Sequence, residues 1–323
     1  MARGTGELRA GQDRSERGQG GPDRPALPRF GLGCAPIGNL YGSVDPDTAT
    51  ATVRTSVELG ATLLDTAPLY GDGLSEERVG RALATVDRAR VQLSTKVGWL
   101  IGAGTAPRPS FGRDDILRSL EGSMKRLGVD RFDVVHVHDA EQHLDEAVRH
   151  AVPALLRLRD EGVVGAVGAG MNHSAPLAEL VRRADLDVVL IAGRYTLLEQ
   201  PALGDLLPQC TSRGVGVIAG GVYNSGLLAD PRPGAPYNYR PAPDAVLRRA
   251  LALREVCARY DVPLRAAAQQ FPLGHPAVVS VVVGAVSPAE VAGNLELARH
   301  PIPAEMWAQL REAGLLDSAT PVP

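Results

Sequence analysis

Residues 132–170 read FDVVHVHDAEQHLDEAVRHAVPALLRLRDEGVVGAVGAG, and the order of patterns within them decides the fold. Phe132–His138 and Val164–Gly170 are short apolar runs rich in valine and alanine, and Leu144–Glu161 between them has the length of a helix. A strand, a helix and a second strand in that order imply two parallel strands joined by a crossover. The same unit repeats outward in both directions. Further strands are expected at Phe30–Cys34, Thr62–Asp65, Val91–Lys96, Val188–Ala192, Gly216–Gly220 and Val278–Val283. Most lack the polar alternation of a half-wet sheet, as expected of strands covered on both faces.

Helices are expected at Pro46–Leu59, Ser75–Leu83, Asp114–Leu127, Ala175–Ala184, Leu203–Arg213, Ala245–Tyr260 and Pro288–His300, with a last one at Ala304–Leu315. Asp45 followed by Pro46 is a good cap with proline at the first helical position. Ser75 opens the second helix, with Glu76 and Glu77 in its first turn. Eight strand–helix units in series point to a closed α/β barrel of (β/α)8 (TIM) type forming a single domain. No GxGxxG follows the first strand, which counts against an open dinucleotide-binding sheet.

Composition bounds the function. The chain has 323 residues, 44% hydrophobic and 22% charged, with a formal charge of −3. That balance argues against a nucleic-acid partner. No apolar run is long enough to span a membrane. Cys34, Cys210 and Cys257 form no metal or CxxC spacing, so reduced thiols, a cytoplasmic location and no metal site are expected. Met1–Leu27 is poor in large apolar side chains and is expected to be a disordered tail before a barrel over 28–323.

In such a barrel the active site lies at the C-terminal ends of the strands. Asp65, Lys96 and His138 each end a strand there, and Tyr70 lies in the loop after Asp65. A free tyrosine titrates near 10, too high for ready proton exchange at neutral pH. A lysine cation beside it is expected to lower that value, with the aspartate holding the lysine charged and the histidine orienting a substrate oxygen. Together they suit proton transfer at an oxygen whose carbon exchanges a hydride. Singly, each has a plainer reading: a turn cap, a solvated strand end, a core aromatic, or, for His138 and its neighbour His136, a packed histidine.

The stretch Asp65-Thr66-Ala67-Pro68-Leu69-Tyr70-Gly71, with Gly73 and Ser75-Glu76, resembles the signature of the aldo-keto reductases. So do Ser94-Thr95-Lys96, the run Asp133 to Asp139, and Val283-Gly284-Ala285. The resemblance covers about Arg29 to His300. It implies a catalytic tetrad of Tyr70 as proton donor or acceptor, Asp65 and Lys96 as its tuning pair, and His138 orienting substrate; it also favours His138 over His136.

The resemblance further implies a nicotinamide cofactor, NAD or NADP, laid across the barrel mouth. Its contacts are expected from Gly33, Cys34 and Asp65, from Asn172 at the carboxamide, from Gly220, Gly221, Asn224, Ser225 and Leu227 about the pyrophosphate, and from Gly284, Val286, Ser287, Glu290 and Asn294 at the adenosine. Three positions depart from the family pattern: Met171 for a serine, Ala192 for a glutamine and Gly220 for a stacking aromatic. NADP-preferring members place cations where Gly284 and Glu290 stand, and a glutamate repels a 2′-phosphate. NAD is therefore expected over NADP, with Arg299 or another mobile arginine able to reverse this.

The stretch Gly220 to Leu228 is similar to the aldose dehydrogenase branch, which implies oxidation of the anomeric carbon of a free sugar of L-fucose, L-galactose or D-arabinose type to a lactone. Asp72, Trp99, His143 and Asn238 lie in loops that could reach such a substrate. Pyridoxal oxidation and general carbonyl reduction are the alternatives, and a cofactor-binding regulatory subunit with little turnover is the rival from another class.

Overall fold

The computed structural model describes residues 26–323 apart from 103 and 239. Its centre is a closed barrel of eight strands: β1 Phe30–Gly33, β2 Leu63–Asp65, β3 Gln92–Val97, β4 Phe132–His138, β5 Val164–Met171, β6 Val188–Ala192, β7 Gly216–Gly220 and β8 Val278–Gly284. Each pairs in parallel with its sequence neighbours, and β8 closes the ring on β1. Gly33 lies opposite both Asp65 and Gly284, so the mouth residues of three strands share one level.

Around the barrel run α1 Pro46–Glu58, α2 Leu74–Leu83, α3 Arg113–Leu127, α4 Val152–Asp160, α5 Ser174–Arg183, α6 Leu206–Arg213, α7 Asp244–Arg259, α8 Leu264–Gln270, α9 Pro288–Ala298 and α10 Ala304–Glu312. A helical turn at Leu144–Glu146 and a π-turn at Ala147–Ala151 lead into α4, in place of one regular helix from Leu144. Asp45 caps α1 as expected, accepting from the amides of Asp47 and Thr48. Ser75 does not cap α2. Its hydroxyl donates to the Cys34 carbonyl at 2.8 Å and pairs with Thr66 Oγ1 at 2.8 Å, so Gly73 takes the cap position.

Further elements differ from the sequence reading, among them a small hairpin of Pro236–Tyr237 against Arg240–Pro241 after β7. A hairpin of Trp99–Gly102 against Thr105–Pro109 follows β3. The short α8 is inserted before β8 and packs Ala266, Ala267 and Ala268 inward.

The core has two layers. Strand residues pointing outward join the larger cluster beneath the helices, as Val135 and Val137 of β4 do. Those pointing inward fill the barrel: Leu63, Val134, Ala166, Val188, Leu190, Ile218 and Val282, with Leu27 packed against them. The expected tail over Met1–Leu27 thus falls outside the described residues except at Ala26 and Leu27. Strand alternation turns His136 inward with Val134 and His138. His136 is fully buried, and neither ring nitrogen has a hydrogen-bond partner.

That ring fits because residue 168 on the neighbouring strand is glycine. A Cβ there would lie 2.4 Å from His136 Nδ1 and 2.5 Å from the Val188 carbonyl oxygen. Gly168→Ala is therefore expected to destabilise the fold by about 1–3 kcal/mol, the usual cost of overpacking. A denaturant midpoint unchanged from the wild type would contradict this.

Candidate active site

The C-terminal end of the barrel opens into one cleft of about 730 Å³. At its floor Lys96 is almost wholly buried, 1% exposed, and its Nζ donates to Asp65 Oδ2 at 2.7 Å and to the Thr66 carbonyl at 2.8 Å. An ammonium has three N–H groups. The Tyr70 ring, its centroid 4.6 Å from Nζ, lies beside the remaining one. Ser94 donates to the second carboxylate oxygen of Asp65 at 2.8 Å, so both oxygens are engaged.

Tyr70 reaches this place because its loop is clamped. The Tyr70 amide donates to the Ala67 carbonyl, and its own carbonyl accepts from Ser75. Gly71 holds a φ of +69°, where a Cβ would meet the Gly38 carbonyl oxygen at 2.2 Å. Only glycine takes that conformation at that approach. Arg78, buried, donates to the carbonyls of Ile37 and Val44 and to Asn39 Oδ1, fixing the loop that carries Leu40 and Tyr41 to the cleft rim.

His138 meets Tyr70 edge-on, ring centroids 6.1 Å apart at 88°. Its Nε2 lies 3.6 Å from Asp139 Oδ2, and its carbonyl accepts from Trp99 Nε1 at 3.1 Å. Of the histidine pair, His136 is the packed one below and His138 the one that lines the cleft.

The electrostatics correct one expectation. Burial pushes the Tyr70 phenol up to about 12, and the Lys96 cation, acting downward as anticipated, does not overcome it. Desolvating a phenolate costs more here than one shared cation returns. For Lys96 burial opposes the charge, but Asp65 and then Tyr70 outweigh it and the net shift is upward. Burial, Lys96 and His136 all hold His138 well below the usual imidazole range, so it is neutral at physiological pH. Asp139, with a φ of +46°, is raised to about 6, chiefly by burial and then by Glu141.

The expected cofactor residues divide. Gly33, Asp65, Asn172, Gly220, Gly221, Asn224, Ser225, Gly284, Val286 and Glu290 line the cleft. Cys34 and Leu227 do not; both are fully buried, Cys34 with its amide on the Asp65 carbonyl. Ser287 caps α9 by accepting from the Glu290 amide, and Asn294 donates to the Gly284 carbonyl from behind the wall. Of the four loop residues considered for substrate, Asn238 lines the cleft. Asp72 and Trp99 are not among its lining residues, nor is His143, which stacks on Phe111.

A dinucleotide fits this wall. Cβ atoms added at Gly33, Gly170 or Gly220 would have no protein neighbour closer than 3.5 Å, so packing does not demand glycine there; side chains would instead occupy cleft volume. The buried Asn224 Oδ1 at the same wall has no protein partner. Among the described residues no cluster of His, Cys, Asp or Glu is placed to hold a metal ion, and no helix is long and apolar enough to cross a membrane. The three cysteines are free and buried.

A closed β/α barrel with a buried acid–lysine pair beneath a tyrosine and a histidine at its mouth defines an oxidoreductase class, and the chain belongs to the Aldo/keto reductase family, whose sequence profile matches residues 29–314. It is an NAD(P)-dependent oxidoreductase. Among relatives, a D-threo-aldose 1-dehydrogenase from Pseudomonas sp. is 42% identical over 313 residues, 90% of this chain and 95% of that protein. A pyridoxal 4-dehydrogenase from Microbacterium luteolum is 35% identical over 322 residues, 89% and 94% of the two chains. Among solved structures, an aldo-keto reductase from Bacillus halodurans in its holo form superposes with a TM-score of 0.76 at 27% identity, covering 90% of this chain and 93% of that one.

The sequence reading missed Arg194 and Glu199. Arg194 lines the cleft and pairs with Glu199 at 3.1 Å. Nothing in their local pattern distinguishes them from ordinary loop charges.

Proposed function

We propose that this enzyme oxidises the anomeric carbon of a free aldose of L-fucose, L-galactose or D-arabinose type to the lactone, with NAD as hydride acceptor and Tyr70 as base. The observation that carries the reading is Lys96, buried between the Asp65 carboxylate and the Tyr70 ring at the floor of an open cleft. The 42% identity to an aldose dehydrogenase supports the substrate class.

Aldoses in water are largely cyclic hemiacetals, and oxidation of one removes a hydride from carbon 1 and a proton from its hydroxyl. Bound NAD supplies the hydride acceptor and a positive ring charge that favours the phenolate of Tyr70. Lys96 adds its own cation from below, and Asp65 keeps that cation in place. Tyr70 takes the hydroxyl proton while the carbon–hydrogen pair leaves as hydride, and the anomeric carbon–oxygen bond becomes the lactone carbonyl. His138, neutral, holds the same oxygen by hydrogen bonding and so orients the one hydrogen of the anomeric carbon. Asn172, at the cleft wall, would hold the carboxamide edge.

The preference for NAD rests on Glu290. Its carboxylate accepts from the Val286 amide at 2.9 Å and stands at the cleft wall beside Gly284, which offers no side chain. A 2′-phosphate arriving there meets a negative charge. Arg299 sits at the other end of α9, roughly 13 Å along the axis at about 1.5 Å per residue, and does not line the cleft. Glu290→Arg is expected to raise kcat/KM for NADP relative to NAD by about ten- to a hundredfold, since a hydrogen bond to a charged group contributes about 1.5–3 kcal/mol. A wild-type enzyme preferring NADP tenfold would sink the assignment.

Pyridoxal is the second reading, favoured by the 35% relative. Its aldehyde also closes to a cyclic hemiacetal with the neighbouring hydroxymethyl group, so the same chemistry applies. Purified enzyme with NAD and a panel of L-fucose, L-galactose, D-arabinose and pyridoxal separates these. Sugar-dependent NADH formation supports the proposal; turnover of pyridoxal alone transfers it to the second reading. Cofactor binding without turnover on the whole panel favours a regulatory protein.

A further inference from the structure

Arg194 is the one arginine among the described residues that line the cleft. Its Nη1 is held from behind by Glu199 Oε1 at 3.1 Å, the Gly193 carbonyl at 3.2 Å and Asn238 Oδ1 at 3.3 Å. Among the described residues no acceptor bonds Nε or Nη2, and the side chain keeps 20% exposure at the cleft. A guanidinium carries five N–H donors. This one has three of them unspent.

Glu199 is the anchor of the arrangement. Besides Arg194 it accepts from Asn224 Nδ2 at 3.0 Å and from Tyr237 Oη at 3.0 Å to each carboxylate oxygen. It thereby ties the turn after β6 to the loop after β7 and to the small Pro236–Tyr237 hairpin arm. Residues 193 and 221 touch as well, since a Cβ on Gly221 would lie 3.0 Å from the Gly193 amide nitrogen. Arg194 is therefore presented beside the Asn224–Ser225–Gly226 turn, whose three residues all hold positive φ.

Charge then selects the ligand group. The acids lining the cleft are Asp65, Asp139 and Glu290; of its cations, Lys96 is committed to Asp65 and the Thr66 carbonyl. A dinucleotide brings two further negative charges on its diphosphate. Oriented guanidinium donors match phosphate oxygens in geometry as well as charge. We infer that Arg194 binds the diphosphate of the cofactor and that Glu199 is its positioning residue; this rests on the nicotinamide-cofactor reading above.

The test is direct binding, by calorimetry, of NAD and of ADP-ribose, which keeps the diphosphate and lacks the nicotinamide. Arg194→Met is expected to weaken both by a similar ten- to a hundredfold, Arg194→Lys by less, with the KM for sugar at saturating NAD unchanged. Glu199→Gln is expected to weaken both ligands in the same proportion to each other. A raised sugar KM with unchanged NAD affinity would overturn the inference and move Arg194 to the substrate wall. If the wild type binds neither NAD nor NADP, the cofactor reading itself fails; if it binds NAD and Arg194→Met binds equally well, only the inference does. Thermal unfolding of each variant shows whether it is folded, and Arg194→Lys retains the charge should Arg194→Met not be.

Discussion

Tyr70→Phe is expected to retain NAD affinity and to lose turnover by about 10²–10⁴-fold, the range that a positioned general acid or base contributes. The substitution removes one oxygen and keeps the ring that packs against Lys96 and His138. Folding and cofactor binding have little reason to change. The phenol, raised to about 12 by burial, is protonated in the cofactor-free protein. Turnover in the oxidative direction should then rise with pH, as phenolate becomes available, and the variant should lose that dependence. A Tyr70→Phe enzyme within a few-fold of wild type would remove Tyr70 from the chemistry and pass the role of base to His138 or Asp139 at the same cleft.

The second large effect is on Lys96. Lys96→Met takes away the cation but leaves the Asp65 carboxylate buried, with Ser94 as its remaining side-chain donor. Removing one partner of a buried ion pair typically costs about 3–5 kcal/mol, because the other charge is stranded. Loss of stability and loss of turnover are expected together. The pH dependence separates this from a packing defect. The Lys96 pKa is raised in the fold, so its contribution to stability is fully present below the ordinary lysine value of 10.5 and is lost as pH climbs beyond it. Unfolding midpoints should therefore fall on approach to strongly alkaline pH more steeply in the wild type than in Lys96→Met. Parallel curves would show that the pair is not coupled to folding.

Much of this was legible in the residues themselves. Parallel strands covered on both faces leave continuous apolar runs, so all eight barrel strands could be bounded to within about one residue at each end. Strand-end polar residues stand out against such runs, which is why Asp65, Lys96 and His138 were found and why the structure brings them together with Tyr70. What escaped was set by contacts distant in sequence. The Trp99–Gly102 hairpin is entered through Gly98, where a Cβ would lie 2.4 Å from the Phe111 ring thirteen residues on. Ser75 looked like a helix cap, but its hydroxyl is drawn to Cys34, 41 residues earlier. The direction of the Tyr70 shift depended on how far the folded cleft desolvates the phenol, which spacing does not encode. Arg194 and Glu199 acquire meaning only when the turn after β6 meets Asn224 and Tyr237 from the next loop.

Transfer of label from an aldose deuterated at carbon 1 is the measurement closest to the central proposal. With L-fucose so labelled and NAD in excess, deuterium is expected in the NADH formed and the sugar is expected to leave as its lactone. NADH without deuterium, or labelled sugar recovered unchanged while another carbon is oxidised, would contradict hydride transfer from the anomeric centre above Tyr70.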